Sequence, residues 1–411
     1  MMDRDFRQHA YALACKPMPQ EHTGENIVQF LRDVIEKWGL PDSIPTFVIT
    51  DNGRNFVSAV AKSNWSRLLC FAHTLQLCIN DAKREVASFS QLCAKCRLIV
   101  GRYKRSARAR ARLMDIQKDM HMAQHQVIQD VPTRWNSEYA MIERLVELRA
   151  PISVELCDLD VDTLSSREWK LMAVAVKVLQ PLDQATTELC ADRYPTLSQV
   201  IPLVHCAQVV LHKHASQGEE AASFARSLLR SLAARSPGLK MANVLANAML
   251  VDPRYKDICY AEDSQKKWAK AALAAAANEL MSAQNECSQA PVCPAIEKPQ
   301  LNLFGVFFSS LTSNVLQDNA HESVPSQVAE YLGAPVLPRS ESPLESWKTH
   351  GSRLYPALAK VAQKYLSIPA KQARSERLFS TAGNVVSSRW ELLLPDHVEQ
   401  LVFLHENLRV Q

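Results

Sequence analysis

Two rhythms of hydrophobic and polar positions run along this chain, one confined to its beginning and the other filling the remainder. Phe6 to Cys15 reads as a strand, ended by Lys16-Pro17-Met18-Pro19. Thr23 caps a predicted helix, with Asn26 at the capping-box position in place of Glu or Gln. Ile27, Phe30, Leu31, Val34 and Trp38 share one face of that helix, and Gly39 closes it. Ile44 to Thr50 is nearly all apolar, the pattern of a strand covered on both faces. It ends in Asp51-Asn52-Gly53, and Arg54 to Lys62 then reads as helix. Trp65 to Phe71 is a third apolar run, leading into a helix with His73, Leu77 and Asp81. Strand, helix, strand and helix in that order are the grammar of an α/β layer.

Beyond it the helical period dominates. Cys96 to about Met122 is predicted as one helix, and Trp135 heads another carrying Met141, Ile142, Leu145, Val146 and Leu148. Further helices are expected over Trp169–Leu179, Thr196–His214, Ala221–Ala234, Met241–Leu250 and Trp268–Met281, with a turn at Asp252–Lys256. Gln284 to Gln300 has linker composition, as does much of Thr312 to Pro343. Helical spacing resumes through Leu354, Leu358, Val361 and Tyr365, then Ala373–Gly383, then a last helix with Val398, Leu401, Val402 and Leu408 on one side. The expected division is an α/β part over 1–80, a helical insertion over 81–283, an irregular linker over 284–343 and a C-terminal segment over 344–411.

Composition narrows the class without choosing a function. The 411 residues, 47% hydrophobic and 22% charged, describe an ordinary globular protein with a large core. A net charge of +4 predicts no partner by itself. Eleven cysteines without a signal-peptide pattern point to a reducing environment. No apolar run is long enough to span a bilayer, so no membrane partner is expected.

Local chemistry leaves alternatives open. Asp51 follows a strand, where open α/β sheets place catalytic carboxylates, and it also suits a turn. Glu376 shares a helical face with Ala373, Phe379 and Ser380; a buried carboxylate there needs a cation, a donor or a metal. Cys70 and His73, with Cys93 and Cys96, invite a zinc reading, against which stands a helical pattern that makes core residues of the second pair. Arg105, Arg108 and Arg112 are spaced as a basic stripe, attractive to phosphate backbones or simply a solvated face. Trp135 is either a core anchor or a stacking surface for a base.

Taken in order, the motifs HTGENI (22–27), TDNGRNF (50–56), CFAHTLQL (70–77), TRWNS (133–137), LVDPRYK (250–256), LESW (344–347), YPALAKVAQKYLSIPA (355–370) and SERLFSTAG (375–383) resemble the hAT superfamily of DNA transposases and their domesticated ZBED-type relatives. The resemblance implies an α/β plus all-α protein: an RNase H-like sheet, incomplete here, interrupted by a large helical insertion, with C-terminal helices completing the core. It implies a site in which three acidic residues hold two divalent metal ions for strand cleavage. The family's second carboxylate falls on Asp51 and its third on Glu376, 325 positions apart; its Cys-x2-His motif falls on Cys70 and His73, near that site. Its RW motif falls on Arg134 and Trp135, whose ring would stack against DNA. The family's first catalytic Asp and its BED zinc finger have no counterpart in this sequence; Asp3 and Asp5 do not match, which implies a fragment or a decayed derivative.

The expectation is therefore a domesticated, nuclear hAT transposase-like protein, associated with DNA through Arg134, Trp135 and the stripe Arg105, Arg108 and Arg112, with catalysis lost. Self-association is expected through the C-terminal region, where Trp347, Leu354, Leu358, Tyr365, Leu378, Phe379, Leu401 and Val402 build both core and dimer contact. No cofactor is expected, Mg²⁺ on Asp51 and Glu376 being required only by a competent site. Two alternatives stand beside this reading. One is a Mg²⁺-dependent DNA transposase whose missing Asp strand lies in the full gene; the other is a non-specific nucleic-acid binder.

Overall fold

The computed structural model describes residues 2–18, 20–40, 47–157, 164–190, 195–216, 219–235, 242–287, 323–385 and 395–408. Among these residues the chain is mostly helical, with one small sheet. Helix α1 (Gly24–Lys37) begins as expected: Thr23 Oγ1 accepts from the amide of Asn26 at 3.3 Å. Its apolar face packs Ile27 and Val28 against Ala59 of α2 (Arg54–Ala61), a small cluster separate from the main core. Strands β1 (Phe47–Thr50) and β2 (Ser66–Leu69) pair in parallel, Phe47 opposite Ser66 and Thr50 opposite Leu69, with α2 as the crossover.

The strand expected at Phe6–Cys15 does not form among the described residues. The segment lies against the C-terminal part and the end of α1 rather than in the sheet. Gln8 Nε2 donates to Ser367 O at 3.1 Å, and Trp38 Nε1 donates to Leu13 O at 2.9 Å. The Asn407 side chain stands in for a strand: it accepts from the amide of Ala12 and donates to the carbonyl of Ala12, each at 3.0 Å. Backbone groups need partners, and these side chains supply them. Phe6, in the left-handed region at φ 57°, turns its ring into the core beside Trp347.

Helices α3 (Phe71–Glu85), α4 (Ala87–Arg105), α5 (Ala107–Asp119), α6 (Trp135–Glu147), α7 (Arg149–Leu156), α8 (Ser166–Leu189), α9 (Val200–Ala215), α10 (Glu219–Arg235), α11 (Asn243–Leu250) and α12 (Asp263–Cys287) follow the sheet. The long α8 opens with a reciprocal Ser165–Glu168 capping box and runs through Pro181, past its expected end at Leu179. One helix was expected over Cys96–Met122; there are two, because Ser106 leaves helical geometry and its Oγ accepts from the amide of Ala109 at 3.1 Å, starting α5 afresh. Asp81 on α3 ties α10 in place, accepting from Ser231 Oγ at 2.7 Å and from Arg235 Nε at 2.8 Å. Burial alone would push the Asp81 carboxyl up, but Ser231 and Arg235 outweigh it and hold it below its ordinary 3.8. Its stabilisation is therefore complete above pH 3.8 and is lost as pH falls through the lowered folded value. Denaturant midpoints measured from pH 5 down to pH 3 should fall less steeply in Asp81→Asn than in the parent chain.

The C-terminal part comprises α13 (Val324–Gly333), α14 (Pro343–Ser346), a π turn (Trp347–Gly351), α15 (Ser352–Leu354), α16 (Pro356–Leu366), α17 (Ala373–Val385) and α18 (Pro395–Leu408). Helix α13 falls inside the stretch expected to be an irregular linker; residues 288–322 of that stretch lie outside the described residues. Trp347 is almost wholly buried, and Gly351 is required beside it, since a Cβ there would collide with the indole. Helix α16 packs on α11, α12 and α13, so C-terminal segment and insertion share one core.

Candidate functional site

Three places carry the residues singled out by sequence. The first is the tip of β1. Asp51 leaves the strand and its Oδ1 accepts from the amide of Gly53 at 2.9 Å, the turn role open to it. Cys70 N donates to Thr50 O at 2.9 Å, which sets Cys70 level with Asp51's neighbour; His73 stands half-buried in the first turn of α3. The C-terminal segment reaches this edge. Phe71 N donates to Ala370 O at 2.9 Å, Ala370 N to Thr196 Oγ1 at 2.9 Å, and Gln372 Nε2 to Ile49 O at 2.6 Å. Gln372 lies one helical turn before Glu376, and Ile49 two residues before Asp51. The fold thus carries the head of α17 to the strand that ends in Asp51.

Glu376 corrects its expectation. It is exposed, as is Phe379, so the face they share is no buried carboxylate site. Among the described residues no three His, Cys, Asp or Glu side chains are placed to share a metal ion. Asp51 and Glu376 alone do not make the donor set that a pair of divalent ions needs. The cysteines are core residues: Cys70, Cys93 and Cys96 are buried, burial pushes the Cys96 thiol up to about 12 and Cys93 higher still, and Cys96 Sγ lies 3.8 Å from Met172 Sδ.

The second place is the basic region. Arg105, Arg108 and Arg112 are all exposed, but Arg105 ends α4 while the other two lie on α5, so the stripe bends at Ser106. Arg102 does not join it: its Nη2 reaches buried Glu155 at 2.8 Å, which also accepts from Tyr103 Oη at 2.9 Å. Trp135, expected as a base-stacking surface, is 5% exposed. Its amide donates to Gln76 Oε1 at 2.8 Å and its ring packs near Tyr139, so the core reading holds for the folded chain. Arg134 beside it is exposed. Sequence reading missed what holds this corner together. Buried Glu138 accepts from Lys83 Nζ at 2.7 Å and from Arg97, which also reaches Asp130 at 2.8 Å. Charged residues on four separate segments gave no local signal of pairing.

The third place is the C-terminal face, where the expected set divides. Trp347, Leu358, Tyr365 and Val402 are core residues. Leu354, Phe379 (69%) and Leu401 (45%) are exposed, and Leu378 is half-buried. Leu404 (50%) and Leu408 (63%) join them, so the side of α18 that faces outward carries Leu401, Leu404 and Leu408, three and four residues apart. The face buried by Val402 is turned inward, and neighbouring Phe403 stacks on Trp38 with centroids 5.7 Å apart. An apolar row on the last helix, which packs against α17 with its exposed Phe379, is more than single scattered side chains.

Residues 327–408 match the model of the hAT family C-terminal dimerisation region, and residues 68–178 match that of the ZBED1 RNase-like helical domain. The chain therefore carries two regions characteristic of the hAT-derived, ZBED-type proteins. It is 27% identical to human zinc finger BED domain-containing protein 4 over 94% of its own length and 33% of that relative's. Against human zinc finger BED domain-containing protein 6 the identity is 27%, over 98% of this chain and 44% of the relative. A putative AC transposase of Zea mays is 23% identical over 93% of this chain and 50% of its own. The chain thus spans one third to one half of these three relatives. The matched dimerisation region covers the segment that exposes the apolar row. Among the described residues no helix is long and apolar enough to cross a membrane.

Proposed function

We propose that this is a domesticated hAT transposase-like nuclear protein that self-associates through its C-terminal region, associates with DNA and no longer cuts it. The observation that carries the reading is the coincidence of the hAT dimerisation region with the exposed row Leu401, Leu404 and Leu408 and Phe379. Such a row loses its contact with water when a second copy covers it. DNA association rests on exposed Arg134, Arg105, Arg108 and Arg112, and on relatives named for BED zinc fingers or as a transposase. The RNase H-like reading of the β1–α2–β2 unit, with Asp51 and Glu376 as remnants of a metal site beside His73, rests on the Gln372–Ile49 contact. Loss of catalysis rests on the two carboxylates themselves: Asp51 serves a turn and Glu376 faces solvent.

The test is light scattering on the purified chain at micromolar concentration. The expected result is a dimer or larger species that Leu401→Glu with Leu404→Glu returns to monomer without loss of helicity. A parent chain that is monomeric throughout overturns self-association. Mg²⁺-dependent nicking of DNA, abolished by Asp51→Ala, overturns the non-catalytic part.

A further inference from the structure

The elbow between α4 and α5 encloses a cleft that none of the roles above uses. It lies between α5 and residues 125–127 and has a volume of about 200 Å³. An engineered apolar cavity of roughly 150 Å³ holds benzene, so this is room for one small ring system. Its floor is apolar and fixed: Tyr103, Leu113 and Val127 are all buried. Ala107 and Ala111 form the α5 wall with no side chain large enough to close it.

The opposite wall is held rigidly. Buried Gln117 accepts from the amide of His125 at 2.8 Å and donates to its carbonyl at 3.1 Å, and Arg144 Nη1 donates to Gln126 O at 2.9 Å. His125 itself faces Glu147 at 3.2 Å, so the positive rim comes from Lys104 and Arg110. Arg110 Nη1 donates to the backbone carbonyl of Lys104 at 3.1 Å across the Ser106 break, which holds the guanidinium at the rim that Lys104 also lines. Beyond the lip lie exposed Arg105, Arg108 and Arg112.

An apolar slot under a cationic lip matches one kind of ligand: a flat ring joined to an anion. We propose that this cleft is a subsite for a single nucleotide of unpaired nucleic acid, the base entering the slot and its phosphate resting on Lys104 and Arg110. The proposal rests on the DNA-associated reading and adds strand type to it. In a duplex both faces of each base are covered by stacking, so duplex phosphates can touch the lip but no base can fill the slot. Unpaired strands offer both parts at once, and the basic surface beyond the lip tracks the rest of the backbone.

The experiment is fluorescence anisotropy with a short labelled oligothymidylate and a labelled duplex of equal length, at low salt. Ala111→Phe fills the slot from an exposed helix position; an unchanged thermal unfolding profile establishes that it folds. Expected is a loss of oligothymidylate affinity of roughly five- to hundredfold, the effect of removing one stacked base, with duplex affinity altered less than about twofold. Equal single-strand affinity in Ala111→Phe and parent overturns the subsite and leaves DNA association standing if neutralising Arg105, Arg108 and Arg112 together still weakens binding. Binding of neither DNA by the parent overturns both. Competition by thymidine monophosphate as strong as by the oligonucleotide overturns the assignment to a strand and makes the cleft a free-nucleotide site; displacement by inorganic phosphate alone overturns the role of the base.

Discussion

Replacing Lys256 with methionine will destabilise the folded chain by about 2–4 kcal/mol, and the loss will appear first at residues 324–347. Lys256 is buried in the LVDPRYK turn, and its ammonium is spent on the end of a helix from the dimerisation region. Nζ donates to Tyr331 O at 2.7 Å, Ala334 O at 2.6 Å and Pro335 O at 3.1 Å, and it lies 4.8 Å from the centre of the Tyr331 ring. The last carbonyls of α13 have no partners within their own helix, so the lysine caps them from a turn distant in the chain. The same turn takes three further contacts. Trp347 Nε1 donates to Val251 O at 2.7 Å, Leu337 N donates to Pro253 O at 2.8 Å, and Asp252, bonded to Ser198 at 2.7 Å, keeps the turn in shape through Arg254.

Burial opposes charge on Lys256 and lowers its pKa, so the ammonium is tolerated only because these carbonyls replace water. Methionine keeps an apolar stem, with sulfur at the δ position and a methyl at ε, and lacks only the terminal ammonium; any strain at φ 46° is common to both chains. What changes is that the buried Tyr331 carbonyl loses its donor, at about 1–3 kcal/mol, while the part-buried carbonyls of Ala334 and Pro335 add less. Hydrogen exchange should accelerate in 324–347 before it does in α8 or α9. A denaturation midpoint within error of the parent, with unchanged exchange there, would show that water reaches the carbonyls and that the turn is not a clamp.

This clamp marks the boundary of what sequence could reveal. The β1–α2–β2 unit was legible because a short apolar strand, a turn and a helix are local patterns, and the insertion was legible because its period persists over many turns. The segment 6–15 was not: its composition suits an extended chain, but whether it joins a ladder depends on partners, here Asn407 and Ser367, hundreds of residues away. The break at Ser106 was concealed by arginines and alanines that favour helix on both sides of it. On α18 the periodic apolar positions were visible, yet two stripes overlap, and only packing separates inward Val402 from outward Leu401 and Leu404. For the candidate site, Asp51 and Glu376 could be named from resemblance, but the exposure of Glu376 is a property of how α17 leaves the core.

The corner around Trp135 depends on charge rather than on apolar packing alone, and Glu138→Ala should cost about 3–5 kcal/mol, the range for breaking a buried ion pair from one side. Glu138 is buried at the first turn of α6 and accepts from Lys83 at both oxygens, each at 2.7 Å, as well as from Arg97. Truncation leaves the Lys83 ammonium without its carboxylate at the side of α3 and leaves Arg97 with Asp130 alone. Two consequences separate this from an ordinary loss of surface charge. The cost should persist in high salt, because partly buried pairs are weakly screened. It should also shrink when Lys83→Met accompanies Glu138→Leu, since removing both charges removes the unpaired ammonium that dominates the penalty. Because α6 starts at Trp135 and its amide hangs from Gln76 of α3, loosening the α3–α6 contact should raise the exposure of Trp135 and the quenching of its fluorescence by acrylamide. Glu138→Ala with a cost under about 1 kcal/mol would place the pair among those whose desolvation cancels their attraction, and Trp135 would then be held by its apolar neighbours alone.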